Sequence, residues 1–265
     1  MAPARILHLS DLHMGKREEP ELGPALAGLV AELAPELVVA SGDLTHRGRR
    51  DQHERAHAFL AALGPPVLAV PGNHDIPYSF PSRFTSPWAE FERLWGTAEP
   101  VYSSPALHVV GLNSVRPWRH QSGGLSTDAL DRAAARLREA PEGALRVAVL
   151  HHHLLGAPWR TRKKPVARRD EVLARLAAAG AQLVLGGHTH QAEVGERRDF
   201  LATAVADPAV IAATAPGLGR PRPHRDGEAR GLHVHETDGR SVTVNTYFWN
   251  GRGWRPTAAR SFSLG

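Results

Sequence analysis

Cysteine is absent from this 265-residue chain. That excludes disulfide scaffolds, thiolate-bound zinc, iron–sulfur clusters and thiol nucleophiles, and it leaves oxygen and nitrogen atoms as the only metal ligands, supplied by Asp, Asn and His. Lysine is scarce: only Lys16, Lys163 and Lys164 among 32 basic residues. The net charge of +5 therefore rests on arginine in a chain crowded with Ala, Gly and Pro, and compositional bias accounts for it without calling for nucleic acid or anionic lipid. Long apolar runs are missing too. None approaches the ~18 residues that cross a bilayer, and residues 1–9 hold no signal-like stretch, so a cytoplasmic protein without membrane contact is expected. What is present, 42% hydrophobic and 22% charged residues, is the composition of a folded globular chain, and the length fits a single domain.

Short apolar runs alternate with amphipathic segments, the pattern of an α/β or layered α/β/β/α fold. Ile6–Leu9, Leu37–Ala40, Val67–Val70, Leu107–Leu112, Arg146–Leu150 and Leu183–Leu185 read as buried strands bounded by Gly, Pro, Ser or Asp. Leu22, Leu26, Leu29, Val30 and Leu33 form one helical stripe that ends before Pro35. Further helices are expected over Arg50–Leu63, Pro87–Leu94, Thr127–Arg138 with Ser126 as N-cap, and Asp170–Ala179 closed by Gly180. Beyond Thr189, Glu193–Ala204 reads as a strand, Pro216–Gly231 as a loop, and Gly231–Glu236 with Ser241–Phe248 as a hairpin turning at Asp238 and Gly239.

Five of the buried runs lead into groups that bind metals: Asp11-Leu12-His13, Gly42-Asp43, Gly72-Asn73-His74-Asp75, His151-His152-His153 and Gly187-His188-Thr189-His190. In an open parallel sheet the carboxyl ends of strands lie on one edge, so groups scattered along the sequence converge there. Asp11, His13, Asp43, Asn73, His188, His190 and one of His151 or His152 are too many ligands for one ion that keeps positions open for water and substrate. Two divalent ions fit better, and this mixture of carboxylate, amide and imidazole suits Mn²⁺, Fe²⁺, Zn²⁺ or Co²⁺ over a Ca²⁺ or Mg²⁺ cage. Asp43 is the expected bridge, holding the ions about 3.5–4 Å apart, the separation used for displacement at phosphorus. Taken singly, each block reads as a cap, a turn or an Asx loop. Their number and order are what carry the inference.

In that order the five blocks, spanning about residues 5–190, resemble the signature of the calcineurin-like metallophosphoesterase superfamily. The resemblance implies a four-layer α/β/β/α sandwich of two mixed sheets flanked by helices, with C-terminal strands over about 193–250 completing it. It assigns Asp11, His13 and His190 to one metal and Asn73, His151 and His188 to the other, with Asp43 bridging, and favours His151 over His152. His153 stands where many relatives have proline. The resemblance gives His74 the catalytic task of stabilising or protonating the leaving oxygen, with Asp75 orienting its ring, and makes a hydroxide held between the ions the nucleophile. Phosphodiester hydrolysis is the expected activity, with cyclic nucleotides among the substrates. A DNA exonuclease, a phosphomonoesterase or protein phosphatase, a UDP-diacylglucosamine hydrolase and a non-catalytic interaction module are the rivals within the same superfamily. The expected partner is a small phosphoester, with a nucleotide as one case. Asn113, the loop with Arg116, Trp118, Arg119 and His120, and the basic segment Trp159–Arg169 are the expected neighbours of the crevice. His224, His233 and His235 read as surface or sheet residues.

Overall fold

A computed structural model of the chain describes residues 4–15, 19–119, 121–155, 163–196, 210–220, 228–257 and 259–264. In chain order the elements are β1 (Ala4–Leu9), α1 (Leu22–Leu33), β2 (Leu37–Ala40), α2 (Arg50–Ala61), β3 (Val67–Ala69), α3 (Ser82–Thr85), α4 (Ala89–Trp95), β4 (Val101–Ser103) and β5 (Leu107–Gly111). There follow α5 (Thr127–Arg138), β6 (Leu145–Val149), α6 (Arg169–Ala178), β7 (Leu183–Gly186), β8 (Glu193–Glu196), β9 (Ile211–Thr214), β10 (Arg230–Thr237), β11 (Ser241–Trp249), β12 (Trp254–Pro256) and β13 (Arg260–Ser263). Residues 197–204 of the expected strand, and 221–227 of the expected loop with His224, lie outside the described residues.

The strands form two mixed sheets. One runs β12-β11-β10-β1-β2-β3, with β13 also on β11, and the other runs β4-β5-β6-β7-β9-β8. β1, β2 and β3 are mutually parallel, as are β5, β6, β7 and β9, so each sheet brings several strand ends to one edge. Three apolar layers hold the stack together. Ile6, Val39, Leu68, Val109, Val147 and Leu185 pack between the sheets. Leu7, Leu9 and Val38 point the other way, onto Leu26, Val30 and Leu60 of α1 and α2, while Val110, Ala148 and Val184 meet Leu130, Leu137, Leu173 and Leu176 of α5 and α6. Because neighbouring residues on a strand face opposite sides, strands apolar on both faces are what a sheet sandwiched between helices and a second sheet requires. The result is the four-layer arrangement.

Local chemistry sets the helix ends. The Ser126 hydroxyl accepts from Ala129 N–H at 3.2 Å as the α5 N-cap, and α1 stops where Ala34 turns left-handed ahead of Pro35. No helix among the described residues is long and apolar enough to cross a membrane.

Candidate active site

Each expected block leaves the end of a strand: Asp11 and His13 follow β1, Asp43 follows β2, Asn73 to Asp75 follow β3, His151 follows β6, and His188 and His190 follow β7. The loops are laced edge to edge. Asp11 N–H donates to Gly42 O and His13 N–H to Asp43 O, each at 2.9 Å, and Gly187 N–H donates to His151 O at 2.9 Å. Asp11 Oδ2 accepts from Ser10 Oγ at 2.8 Å and from His188 N–H at 2.9 Å, which ties the edge of one sheet to the edge of the other. Asp11, His13, Asp43, His188 and His190 all have positive φ, between 50° and 73°. This left-handed region is unusual outside glycine, and clusters of such residues mark functional sites.

Packing this tight leaves no room beside Gly72, where an added Cβ would lie 2.1 Å from Asp43 N. Gly72→Ala should therefore displace the Asp43 backbone. The expected result is a lower melting temperature together with loss of bound metal, read by calorimetry and elemental analysis, and a variant of unchanged metal content would show that the contact has slack.

Three groups of side chains converge, Asp11 with His13 and His190, Asp43 with His151 and His188, and His13 with His46 and His74, the last sharing His13 with the first. In the first, His190 Nε2 lies 3.0 Å from Asp11 Oδ1 and 3.2 Å from His13 Nε2. In the second, His151 Nδ1 meets Ser41 O at 2.8 Å and His188 Nε2 meets Gln121 O at 3.0 Å. A carbonyl only accepts, so both of these nitrogens carry protons. In the neutral rings the other nitrogens, His151 Nε2 and His188 Nδ1, then present lone pairs to each other across 3.2 Å. A divalent cation satisfies that arrangement, and outer carbonyls that fix the tautomer are how metal-binding histidines are usually held. Asp43 reaches both groups, with Oδ1 3.4 Å from His151 Nε2 and Oδ2 3.8 Å from His13 Nε2. Asp43 Oδ2 and the amide oxygen of buried Asn73 find no hydrogen-bond partner among the described residues. Unmatched buried oxygens of this kind suit cation ligands.

His152 turns away, its Nδ1 2.8 Å from Ser114 Oγ, so His151 is the member of the run that joins the group.

His74 stands next to the first group, its ring perpendicular to His13 at 4.9 Å between centroids. Its N–H donates to Asp43 Oδ1 at 2.8 Å. Its Nδ1 lies 2.8 Å from His46 O and 2.7 Å from Tyr78 Oη. The carbonyl makes Nδ1 the protonated nitrogen, leaving Nε2 as the one that exchanges a proton.

Asp75 departs from expectation. Its carboxylate accepts from the backbone N–H groups of Gly72, Leu44 and Thr45 and from Thr45 Oγ1, at 2.7–3.1 Å. It clamps the β2 and β3 loops together, and the His74 ring is oriented by His46 instead. His46 was missed in the sequence. Its ring lies nearly parallel to that of His74 at 6.0 Å, and the only available signal was a histidine three residues after Asp43.

Among the flanking residues, Asn113 caps its own turn by accepting from Val115 N–H at 3.0 Å. Lys163 donates to His188 O, bringing positive charge to the edge of the site. His120 and residues 159–162 lie outside the described residues.

Charge and burial work against each other here. Burial pushes the carboxyl groups of Asp11 and Asp43 up, but the neighbouring histidines, His190 for the first and His151 for the second, hold both well below the usual carboxylate range. Burial likewise opposes charge on His151, yet the Asp43 carboxylate wins and pushes it up to about 9. Burial drives His13 and His188 down, and it drives His153 to about 4 with help from Lys163. Asp75 is pushed up by burial and by the charge on Asp43.

Two sheets whose edges meet in a pocket of paired His/Asp groups able to hold metal define a metallophosphoesterase. Residues 4–192 match the calcineurin-like phosphoesterase family, and the chain belongs to it. The chain is 31% identical over 207 residues to a probable cyclic nucleotide phosphodiesterase of a Synechococcus strain, covering 72% of this chain and 75% of that one. It is 26% identical over 201 residues to the 3′,5′-cyclic adenosine monophosphate phosphodiesterase of Haemophilus influenzae, covering 71% and 70%. In fold it resembles a purple acid phosphatase from yellow lupin seeds, with a TM-score of 0.74 at 12% identity over 99% of this chain and about half (54%) of the plant enzyme.

Proposed function

We propose that this site hydrolyses phosphodiesters with two divalent cations, one held by Asp11, His13 and His190, the other by Asn73, His151 and His188, with Asp43 shared. The observation that carries the reading is the pair of ring nitrogens, His151 Nε2 and His188 Nδ1, facing each other at 3.2 Å while a backbone carbonyl holds the other nitrogen of each ring, beside a carboxylate that reaches both groups. A ligand set of carboxylate, amide oxygen and imidazole suits Mn²⁺, Fe²⁺, Zn²⁺ or Co²⁺. Bound there, the cations supply an activated water nucleophile and neutralise charge on the phosphoryl oxygens.

The chain's own contribution is positioning and proton transfer. Asp43 Oδ1 fixes the backbone of His74, and the His46 carbonyl fixes its ring. In the imidazolium form, Nε2 of His74 donates a proton to the leaving alkoxide while Nδ1–H stays bonded to that carbonyl. An alkoxide leaving group gains most from such a donor, which favours diesters. The names of the Synechococcus and Haemophilus relatives support cyclic nucleotides among the substrates. Asp75 serves by holding the two loops in register.

The test is hydrolysis of bis(p-nitrophenyl) phosphate. Chelator should abolish it and Mn²⁺ should restore it, and His74→Ala should lower kcat by roughly 10²–10⁴-fold at unchanged metal content. Full activity after metal removal ends the proposal, and loss of metal along with turnover would make His74 a ligand.

A further inference from the structure

Five large hydrophobic residues stand exposed among the described residues, and four of them are aromatic: Tyr78 at 44%, Phe80 at 83%, Phe84 at 53% and Trp118 at 67%. An isolated exposed ring needs no explanation, but several together beside a reactive group do. All four lie on two segments that border the site, and Tyr78 touches it directly. The first, residues 76–88, follows Asp75 and contains α3, and its Tyr78 Oη lies 2.7 Å from His74 Nδ1. The second, residues 112–119 and 121–125, reaches the histidines beside Asp43: Ser114 Oγ holds His152 Nδ1 at 2.8 Å, and Gln121 O holds His188 Nε2 at 3.0 Å.

Arg83 joins the loops. It is only 4% exposed, and its Nε donates to Pro117 O at 2.6 Å while Nη1 donates to Pro77 O at 3.1 Å. Burying a guanidinium against two carbonyls and the Tyr78 ring, whose centre lies 6.0 Å from Arg83 Cζ, costs free energy, so the bracket fixes the spacing of the loops at some expense to the fold. Phe80 and Phe84 sit beside each other with centroids 6.5 Å apart. Trp118 adjoins the residue that Arg83 grips.

We propose that these two loops form a subsite for the nucleobase of the phosphodiester, with Phe80, Phe84 and Trp118 offering ring faces to a planar aromatic group while the phosphoryl group lies beside His74. The proposal rests on the phosphodiesterase reading and narrows its substrate class. Base–aromatic stacking tolerates any base, because every base has a π-face. Such a subsite would therefore select nucleotides over aliphatic diesters and discriminate weakly among bases.

Two measurements test it on the Mn²⁺-loaded protein. By titration calorimetry, AMP should bind the wild type roughly 5- to 100-fold more tightly than ribose 5-phosphate, the range that stacking supplies. Phe80→Ala and Trp118→Ala should shrink that ratio and leave ribose 5-phosphate binding and the melting temperature unchanged, since both side chains are exposed. In turnover, the same variants should raise KM for cyclic AMP and leave hydrolysis of glycerophosphocholine as it was. Equal binding of AMP and ribose 5-phosphate by the wild type overturns the subsite, as does an equal effect of the variants on both substrates. If the variants instead lose affinity for phosphatidylcholine vesicles while the AMP ratio stays at one, the rim is a lipid contact and the proposal is wrong. A wild type that binds AMP selectively but cleaves no diester would leave the subsite standing and remove the phosphodiesterase reading.

Discussion

Asp43→Asn is expected to cost about 10³-fold or more in phosphodiester hydrolysis and to lower the metal content below two ions per chain. Loss of an outer-shell partner of a metal ligand typically costs 10- to 100-fold, and Asp43 stands closer in than that. One of its oxygens faces His151 and the other faces His13, so under the proposed shared-ligand arrangement a single neutralisation would weaken both groups at once. Asparagine is the informative replacement because its side-chain oxygen can still accept from His74 N–H, the bond now made by Asp43 Oδ1 at 2.8 Å. Alanine would leave that buried N–H without an acceptor and confuse lost chemistry with a disturbed loop. The measurements are elemental analysis and kcat/KM on protein whose melting profile matches the wild type. Two retained ions and activity within tenfold would show that the carboxylate is not shared.

The second large effect concerns stability in acid. His8, His233 and His235 lie between the sheets with no more than 2% exposure. His8 Nε2 is 2.9 Å from Ser41 Oγ, His233 lies 2.9 Å from Thr214 O and from Thr246 Oγ1, and His235 Nε2 is 3.4 Å from His8 Nδ1. Burial pushes His233 down to about 4 and His8 and His235 well below their ordinary value of 6.5, and mutual repulsion adds to the shift for the last two. Between pH 6.5 and 4 the unfolded chain binds protons at these positions and the native chain does not. Stability therefore falls as pH drops through this window, by about 1.4 kcal/mol per pH unit for each group and about 4 kcal/mol per pH unit for the three. Against a typical total of about 5–15 kcal/mol, the chelated protein should unfold near pH 5. His13, His152, His153 and His188 are lowered as well and act in the same direction, whereas His151 opposes them. Urea titrations in EDTA at pH 5, 6, 7 and 8 would read the slope. His235→Leu should reduce it by about 1 kcal/mol per pH unit, and a slope near zero in the wild type would mean that the cluster is hydrated or already protonated.

What could be read in the sequence, and what could not, follows from local signal strength. Val38-Val39-Ala40 and Leu183-Val184-Leu185 are short runs apolar on both faces with turn residues after them, so both the strands and the residues placed at their ends were legible. The stripe of α1 and the Ser126 cap of α5 were equally plain. β4, β9, β12 and β13 were missed because three or four residues carry no periodicity, and β9 lies in an alanine-rich stretch, Ile211 to Thr214, that reads equally well as helix. His233 and His235 alternate with Leu232 and Val234 as a solvent-facing side would. They are buried because the second sheet covers that face, a fact of tertiary packing alone. The role of Asp75 was hidden for the same reason. Proximity in sequence pointed it at His74, while its partners Leu44 and Thr45 come from another strand end.

The left-handed backbone at Asp11, His13, Asp43, His188 and His190 bears on how this protein would respond to laboratory evolution. Each such residue holds a conformation that costs about 1 kcal/mol relative to an ordinary one. A library screened for survival of heating, with no demand for turnover, should therefore collect asparagine at Asp11 and Asp43, where an acceptor oxygen is still needed, and glycine or asparagine at His13, His188 and His190. The hardiest clones would be the ones that had discarded their chemistry.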